Sequence, residues 1–187
     1  MKKLLSDYFM LFAIASVLVI LDQLTKSWVR LNLAFGEVYH PEWWLSQFVR
    51  LVHVKNTGAA FGMLQSFGGV FMILSFVISC VIIYYFPQIP RQDWVIRVAM
   101  GMMLGGAVGN LIDRLQIGHV TDFFSVGGFP VFNIADASIS VGVVVLFIGL
   151  WIQENHQKSQ PQSDAQQPDS SSSNLDAPGV QEESQGE

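Results

Sequence analysis

Four apolar runs, each close to the length of a membrane crossing and almost free of charge, constrain this chain more than any other feature. They lie at about residues 8–28, 68–86, 95–112 and 134–152. A helix needs about 20 consecutive apolar residues to cross a bilayer core, where each backbone N–H and C=O must be satisfied within the segment itself. The fold class that follows is a membrane protein, mainly α, with four transmembrane helices. Charge usage agrees, since 13% of residues are charged where a water-soluble domain carries roughly 25%. The first run follows Lys2 and Lys3 and holds Ala13-Ile-Ala15, the small-residue spacing of a signal-peptide cleavage site. That triplet sits inside the run, so an uncleaved first span is expected.

The net charge of −5 belongs to one end. From Gln153 onward Lys158 is the one basic residue against seven carboxylates, which leaves the remainder near neutral. Two parts follow: a transmembrane domain over 1–156, and an acidic tail over 157–187 rich in Ser, Gln, Asp and Pro. The tail has too little apolar surface to bury a core and is expected to be disordered. Between the first two spans, Phe48 to Lys55 partly alternates and predicts a short strand, while Trp43, Trp44 and Phe48 read as interfacial aromatics. Gly101, Gly105 and Gly109 recur every four residues along the third span, a face on which helix backbones approach closely. The single Cys80 excludes an intrachain disulfide, and the four histidines have no ligand spacing, so neither metal nor cofactor is expected. Lysines and arginines balance across the membrane. Lys2, Lys3, Arg91, Arg97 and Lys158 lie on the N-terminal side, against Lys26, Arg30, Arg50, Lys55 and Arg114, so charge bias leaves the orientation open.

Ionisable residues at membrane depth are costly and point to function. Asp22 and Lys26 stand one turn apart and can pair on one face. Asp113 and Arg114 end the third span, with Asn110 one turn before Asp113. Asp122 follows among apolar residues in Val120-Thr-Asp-Phe-Phe124. Asp136 opens the fourth span in Phe132-Asn-Ile-Ala-Asp136. The turn-rich Ser125–Pro130 connection lets the chain fold back, so Asp122 and Asp136 fall near one membrane surface. Either aspartate alone reads as a cap or structural hydrogen-bonder; together they favour chemistry. Two carboxylates held close share a proton. The charged member then takes a proton from water while the protonated one polarises a peptide carbonyl. The helix dipole makes Asp136 the candidate for the charged member. A proton- or ion-relaying transporter is the main rival, but the carboxylates bunch at span ends and leave the midsections bare. A serine peptidase using Ser138 or Ser140 with Lys26 is a weaker one, and a non-enzymatic scaffold a third.

Five segments in order, Asp22-Gln-Leu-Thr-Lys26, Asn56-Thr-Gly-Ala-Ala-Phe-Gly62, Gly109-Asn-Leu-Ile-Asp-Arg114, Val120-Thr-Asp-Phe123 and Phe132-Asn-Ile-Ala-Asp136, resemble the bacterial lipoprotein signal peptidases, or signal peptidase II. The resemblance runs from the first span to the fourth and omits the tail. It implies a membrane aspartic peptidase with Asp122 and Asp136 as the catalytic dyad. Asn56, Asn110, Arg114 and Asn133 match positions that line the site and hold substrate or dyad, and Asp22, Lys26 and Asp113 match structural support. It further implies a small extramembrane β-cradle at about 36–62, both termini cytoplasmic, and a site near the outer surface of the inner membrane. The implied partners are diacylglyceryl-modified prolipoproteins and membrane lipids, with no nucleic acid and a monomeric enzyme.

Overall fold

The structure, a computed structural model, describes residues 2–40, 48–58 and 68–158. Its elements are α1 (Lys2–Asn32), β1 (Val38–Tyr39), β2 (Val49–Asn56), α2 (Gly68–Tyr85), a short 3-10 turn (Phe86–Gln88), α3 (Trp94–Ile117), β3 (Val120–Val126) and α4 (Ile134–Lys158). The four long helices contain stretches long and apolar enough to cross a membrane, Tyr8–Asn32, Gly68–Gln88, Trp94–Ile117 and Ile134–Asn155. These match the four expected runs and extend each of them by a few residues. Helix α4 continues to Lys158, and the rest of the expected tail, 159–187, lies outside the described residues, as do Trp43 and Trp44.

Helix α3 is the centre of the bundle. In its span window 61% of residues are buried, against 17–22% for the other three, which identifies it as the helix the others surround. The reason is its small residues. A Cβ on Gly101 would lie 2.9 Å from Cβ of Ile14, and one on Gly105 the same distance from Cβ of Leu18, so this stripe receives α1. A Cβ on Gly109 would lie 2.7 Å from Oδ2 of Asp22, so the same stripe ends against a charged group of α1. Gly106 faces the other way, where a Cβ would overlap the Ala135 carbonyl oxygen and lie 2.6 Å from Ile139. Without water to drive helices together, such backbone proximity supplies the packing.

At the end that holds both α1's start and α4's finish, Leu11, Ala15, Ile82, Phe86, Ile96, Met100 and Leu104 form an apolar core. The buried Arg97 lies over the Phe86 ring, 4.3 Å from its centroid, and donates to the Ile89 carbonyl at 2.9 Å. Helix α3 stops at Gly118, whose φ of 76° closes the last turn through an N–H donated to the Arg114 carbonyl.

The opposite end carries an antiparallel sheet in the order β1-β2-β3. The sequence reading places a strand over Phe48–Lys55, found as Val49–Asn56, but it assigns none to 120–126. That strand is buried on both faces along Val120–Phe123, so the alternation that marks a half-exposed strand is missing. Between the pairs Leu51↔Phe124 and Val54↔Asp122 the register shifts by one residue. Beyond this bulge Asn56 pairs with Val120, which sets its side chain diagonal to Asp122 on one face.

Gly106→Ala should destabilise the bundle by about 1–3 kcal/mol through overpacking of α3 on α4. Gly69→Ala, where a Cβ meets nothing within 4 Å, should stay within about 0.5 kcal/mol of the native value. Thermal unfolding in detergent compares the two.

Candidate active site

Helix α4 begins with a reciprocal cap. Oδ1 of Asn133 accepts from the Asp136 N–H at 2.9 Å, and Oδ2 of Asp136 accepts from the Asn133 N–H at 3.2 Å. This is a capping box with Asp in the position usually held by Glu. A further N–H of the first turn, that of Ala135, donates to Oδ1 of Asp22 from α1 at 3.0 Å. The start of α4 is thereby fixed against α1 and Asp136 is held in one orientation.

The cap leaves the Asn133 amide nitrogen available, and it donates to Oδ1 of Asp122 at 2.6 Å and Oδ1 of Asn110 at 3.2 Å. The 127–132 segment brings Asn133 there, since Phe132 exchanges backbone hydrogen bonds with Phe124 at 2.8 and 3.0 Å. Asn56 closes the other side, its amide donating to Oδ2 of Asp122 at 2.8 Å. From α3, Nδ2 of Asn110 donates to Oδ1 of Asp136 at 2.7 Å. Asn110 and Asn133 therefore tie the two carboxyl groups into one network. Burial, and then the Asp136 carboxylate, raise the Asp122 carboxyl from 3.8 to about 7, against the opposing pull of the Asn56 and Asn133 amides and of Lys26. Between these values the unfolded chain ionises this group while the folded one keeps its proton. The site therefore costs more stability as pH climbs through that window.

A second layer lies beneath. Nζ of Lys26, fully buried, contacts Oδ2 of Asp22 at 2.7 Å, Oδ2 of Asp113 at 3.3 Å and Oδ1 of Asn110 at 2.9 Å. Asp113 also accepts from Arg30 at 3.3 Å, Gln23 at 3.2 Å and the Thr121 N–H at 3.0 Å. Arg30, Gln23 and Thr121 have no site role in the sequence reading. The four-residue spacing of Asp22, Lys26 and Arg30 was the available signal for Arg30; Thr121 gave none, because its contact depends on the unrecognised third strand.

The upper layer faces a cavity of about 520 Å³. Asn56, Asn110, Arg114 and Asp136 line its polar part, and Phe71, Phe129, Phe132, Ile139 and Val141 its apolar part. Arg114 donates to the Asn110 carbonyl at 3.4 Å and lies 5.8 Å from the Phe71 ring centroid. Asp122, 1% exposed, sits behind the wall and under Asn56. Ala59 to Gly62, the remainder of the second segment, lies outside the described residues. The serine alternative finds no support: Ser138 donates to the Ile134 carbonyl at 2.8 Å, and Lys26, engaged by two carboxylates and an amide, is absent from the cavity wall that Ser140 lines.

Residues 14–152 match the family model described as signal peptidase (SPase) II. The chain belongs to the signal peptidase II family. It is accordingly a protease, and a multi-pass membrane protein. The lipoprotein signal peptidase of Shouchella clausii strain KSM-K16 is 37% identical over 150 residues, 80% of this chain and 97% of that protein. That of Bacillus pumilus strain SAFR-032 is 40% identical over 141 residues, 73% of this chain and 89% of that protein. Among solved structures, a bacterial membrane enzyme determined by the in meso method at 2.3 Å superposes with a TM-score of 0.74 at 31% identity. The match covers 81% of this chain and 93% of the other.

Asn133→Ala removes the cap oxygen and the Asp122 donor together and should destabilise the protein by about 2 kcal/mol. Asn133→Ser restores the cap and should recover part of that loss without restoring cleavage, because Asp122 still lacks the Asn133 amide and keeps only that of Asn56. Unfolding midpoints and cleavage rates on the same preparations separate the two effects.

Proposed function

We propose that Asp122 and Asp136 are the catalytic pair with which this signal peptidase II cuts diacylglyceryl-modified prolipoproteins before the modified cysteine. The observation that carries the reading is the joint suspension of the two carboxyl groups from Asn110 and Asn133 beside a mostly apolar cavity with one polar wall. Charge balance supports it. The cluster holds four carboxyl groups (Asp22, Asp113 and Asp122 buried, Asp136 half-buried) against three cations (Lys26 buried, Arg30 and Arg114 half-buried), so one shared proton makes it neutral. Neutrality is strongly preferred where water cannot solvate an excess charge.

In this mechanism Asp136 is the ionised member and Asp122 carries the proton. Substrate entry displaces the Asn56 amide, and the scissile carbonyl accepts a hydrogen bond from the Asp122 carboxyl. Asp136 takes a proton from the attacking water as its oxygen bonds to the carbonyl carbon, and Asp122 passes its proton to the carbonyl oxygen. The tetrahedral intermediate then returns a proton to Asp122 as the C–N bond breaks, while Asp136 gives its proton to the leaving nitrogen. The products are a carboxyl-terminated signal peptide and the free amine of the cysteine. Arg114 holds backbone carbonyls of the substrate, and the apolar walls of the cavity receive its acyl chains.

Asn56, Asn110 and Asn133 orient the pair in this scheme, while Asp22, Lys26 and Asp113 support it from below. The enzyme acts as a monomer, since one chain supplies both aspartates, and no nucleic acid takes part. Its core is the span-bearing part, 1–156, with the acidic tail outside the chemistry. Both termini lie in the cytoplasm of a bacterial cell and the site faces the outer side of the inner membrane. Once the buried cations Lys26 and Arg97 and the cluster's Arg30 and Arg114 are set aside, Lys2, Lys3, Arg91 and Lys158 outnumber Arg50 and Lys55. The positive-inside rule then favours this orientation.

The test is cleavage of a purified diacylglyceryl prolipoprotein. Asp122→Asn and Asp136→Asn should each lose activity by a factor on the order of 10³ or more while remaining folded. In the wild type, kcat should fall as pH rises through about 7, where Asp122 gives up its proton. Near-normal cleavage by either variant contradicts the paired mechanism.

A further inference from the structure

Lys26 is more than an anchor in this arrangement. Its ammonium has three N–H donors and meets three acceptors: Oδ2 of Asp22, Oδ2 of Asp113 and Oδ1 of Asn110. The first two are ordinary counter-ions. The third belongs to the side chain whose other end donates to Asp136 at 2.7 Å. An asparagine amide presents either its oxygen or its nitrogen to a neighbour, and the wrong choice here would aim a lone pair at a carboxylate. Lys26 decides the choice, because an ammonium accepts nothing and forces the Asn110 oxygen towards itself. The Asn133 amide nitrogen donates to the same oxygen at 3.2 Å and to Asp122 at 2.6 Å. The buried charge of α1 thus lies two hydrogen bonds from Asp136 and three from Asp122.

We infer that Lys26 is a positioning residue for the catalytic step: through Asn110 it aims the donors that hold Asp136 and Asp122. The inference rests on the aspartate pair proposed above. Lys26 is fully buried and is not part of the cavity wall, so it cannot act by touching substrate. The charged and titratable groups around it and the pair are Asp113, with Arg30 on its far side, from α3 and α1; Asp22 from its own helix; Asp122 from β3; Asp136 from α4; and Arg114 from α3, which acts on Asp113, Asp122 and Asp136. The positive charge of Lys26 opposes the rise of the Asp122 carboxyl, so its removal should make Asp122 hold its proton to higher pH.

Removal of Lys26 alone would strand two buried carboxylates, so the test uses the charge-neutral pair Asp22→Asn/Lys26→Met against Asp22→Asn alone. The asparagine keeps an oxygen for the Ala135 N–H, and Asp113 keeps Arg30, Gln23 and Thr121. The expected result is a folded double variant with kcat reduced by about 10- to 100-fold, as for residues that orient a site from behind. KM should be unchanged and the basic limb of the kcat profile should move up by about one pH unit. Asp113→Asn/Lys26→Met, compared with Asp113→Asn, repeats the test on the other partner. A double variant whose kcat and pH profile match its single parent overturns the inference. So does failure of both double variants to fold while both single variants do, since Lys26 is then structural. Failure of the underlying pair shows separately, as cleavage by Asp122→Asn or Asp136→Asn.

Discussion

A buried carboxyl group must find a counter-charge or keep a proton, and that constraint organises this end of the molecule. Asp22 and Asp113 find Lys26 and Arg30. Asp136 faces the cavity with Arg114, and Asp122 is left with amide donors alone. Amide donors favour an ionised carboxylate, but burial and the neighbouring Asp136 outweigh them, which is why Asp122 keeps its proton to about pH 7. In the mechanism proposed above, these unequal environments divide the two carboxyl groups into an acid and a base. Peptide hydrolysis without metal or nucleophile needs such a division.

The rest of the fold serves that placement. Gly109 lets Asp22 approach α3, and Gly106 lets the first turn of α4 lie against the same helix from the other side. A side chain at either position would push α1 or α4 away and open the distances on which the network relies. The sheet contributes by register. The bulge in β2 precedes the Val54↔Asp122 pair and aligns Asn56 with Asp122, while Thr121, next along β3, turns to Asp113 and Arg30. One strand thus offers its aspartate to the Asn56 and Asn133 amides behind the cavity wall and its neighbour to the supporting ion pairs.

Much of this was legible in the sequence, unevenly and for physical reasons. The spans were clear because a membrane crossing leaves a long uninterrupted signal, and Asp122 and Asp136 stood out because charge at membrane depth is rare. The pairing of Asp22 with Lys26 followed from helical spacing. The strand at 120–126 was not legible, since burial on both faces removes alternation, and with it went the contacts of Thr121. Nor did the sequence reveal that Asn133 and Asp136 cap one another: it pointed to Asp136 as a capping candidate, but the reciprocal bond depends on where α4 begins. The central place of Asn110 was also hidden, because its two oxygen contacts come from α1 and from the cap residue before α4, and its nitrogen contact from α4 itself.

The central claim is that Asp122 and Asp136 hold one proton between them and that Asp122 carries it. Infrared titration of specifically labelled aspartate carboxyls in the purified membrane protein reads this directly, without turnover. The account predicts a protonated Asp122 carboxyl at pH 6 that ionises near pH 7 and at lower pH when Asp136 is replaced by asparagine. Two fully ionised carboxylates at pH 6, or an Asp122 titration indifferent to Asp136, would contradict it.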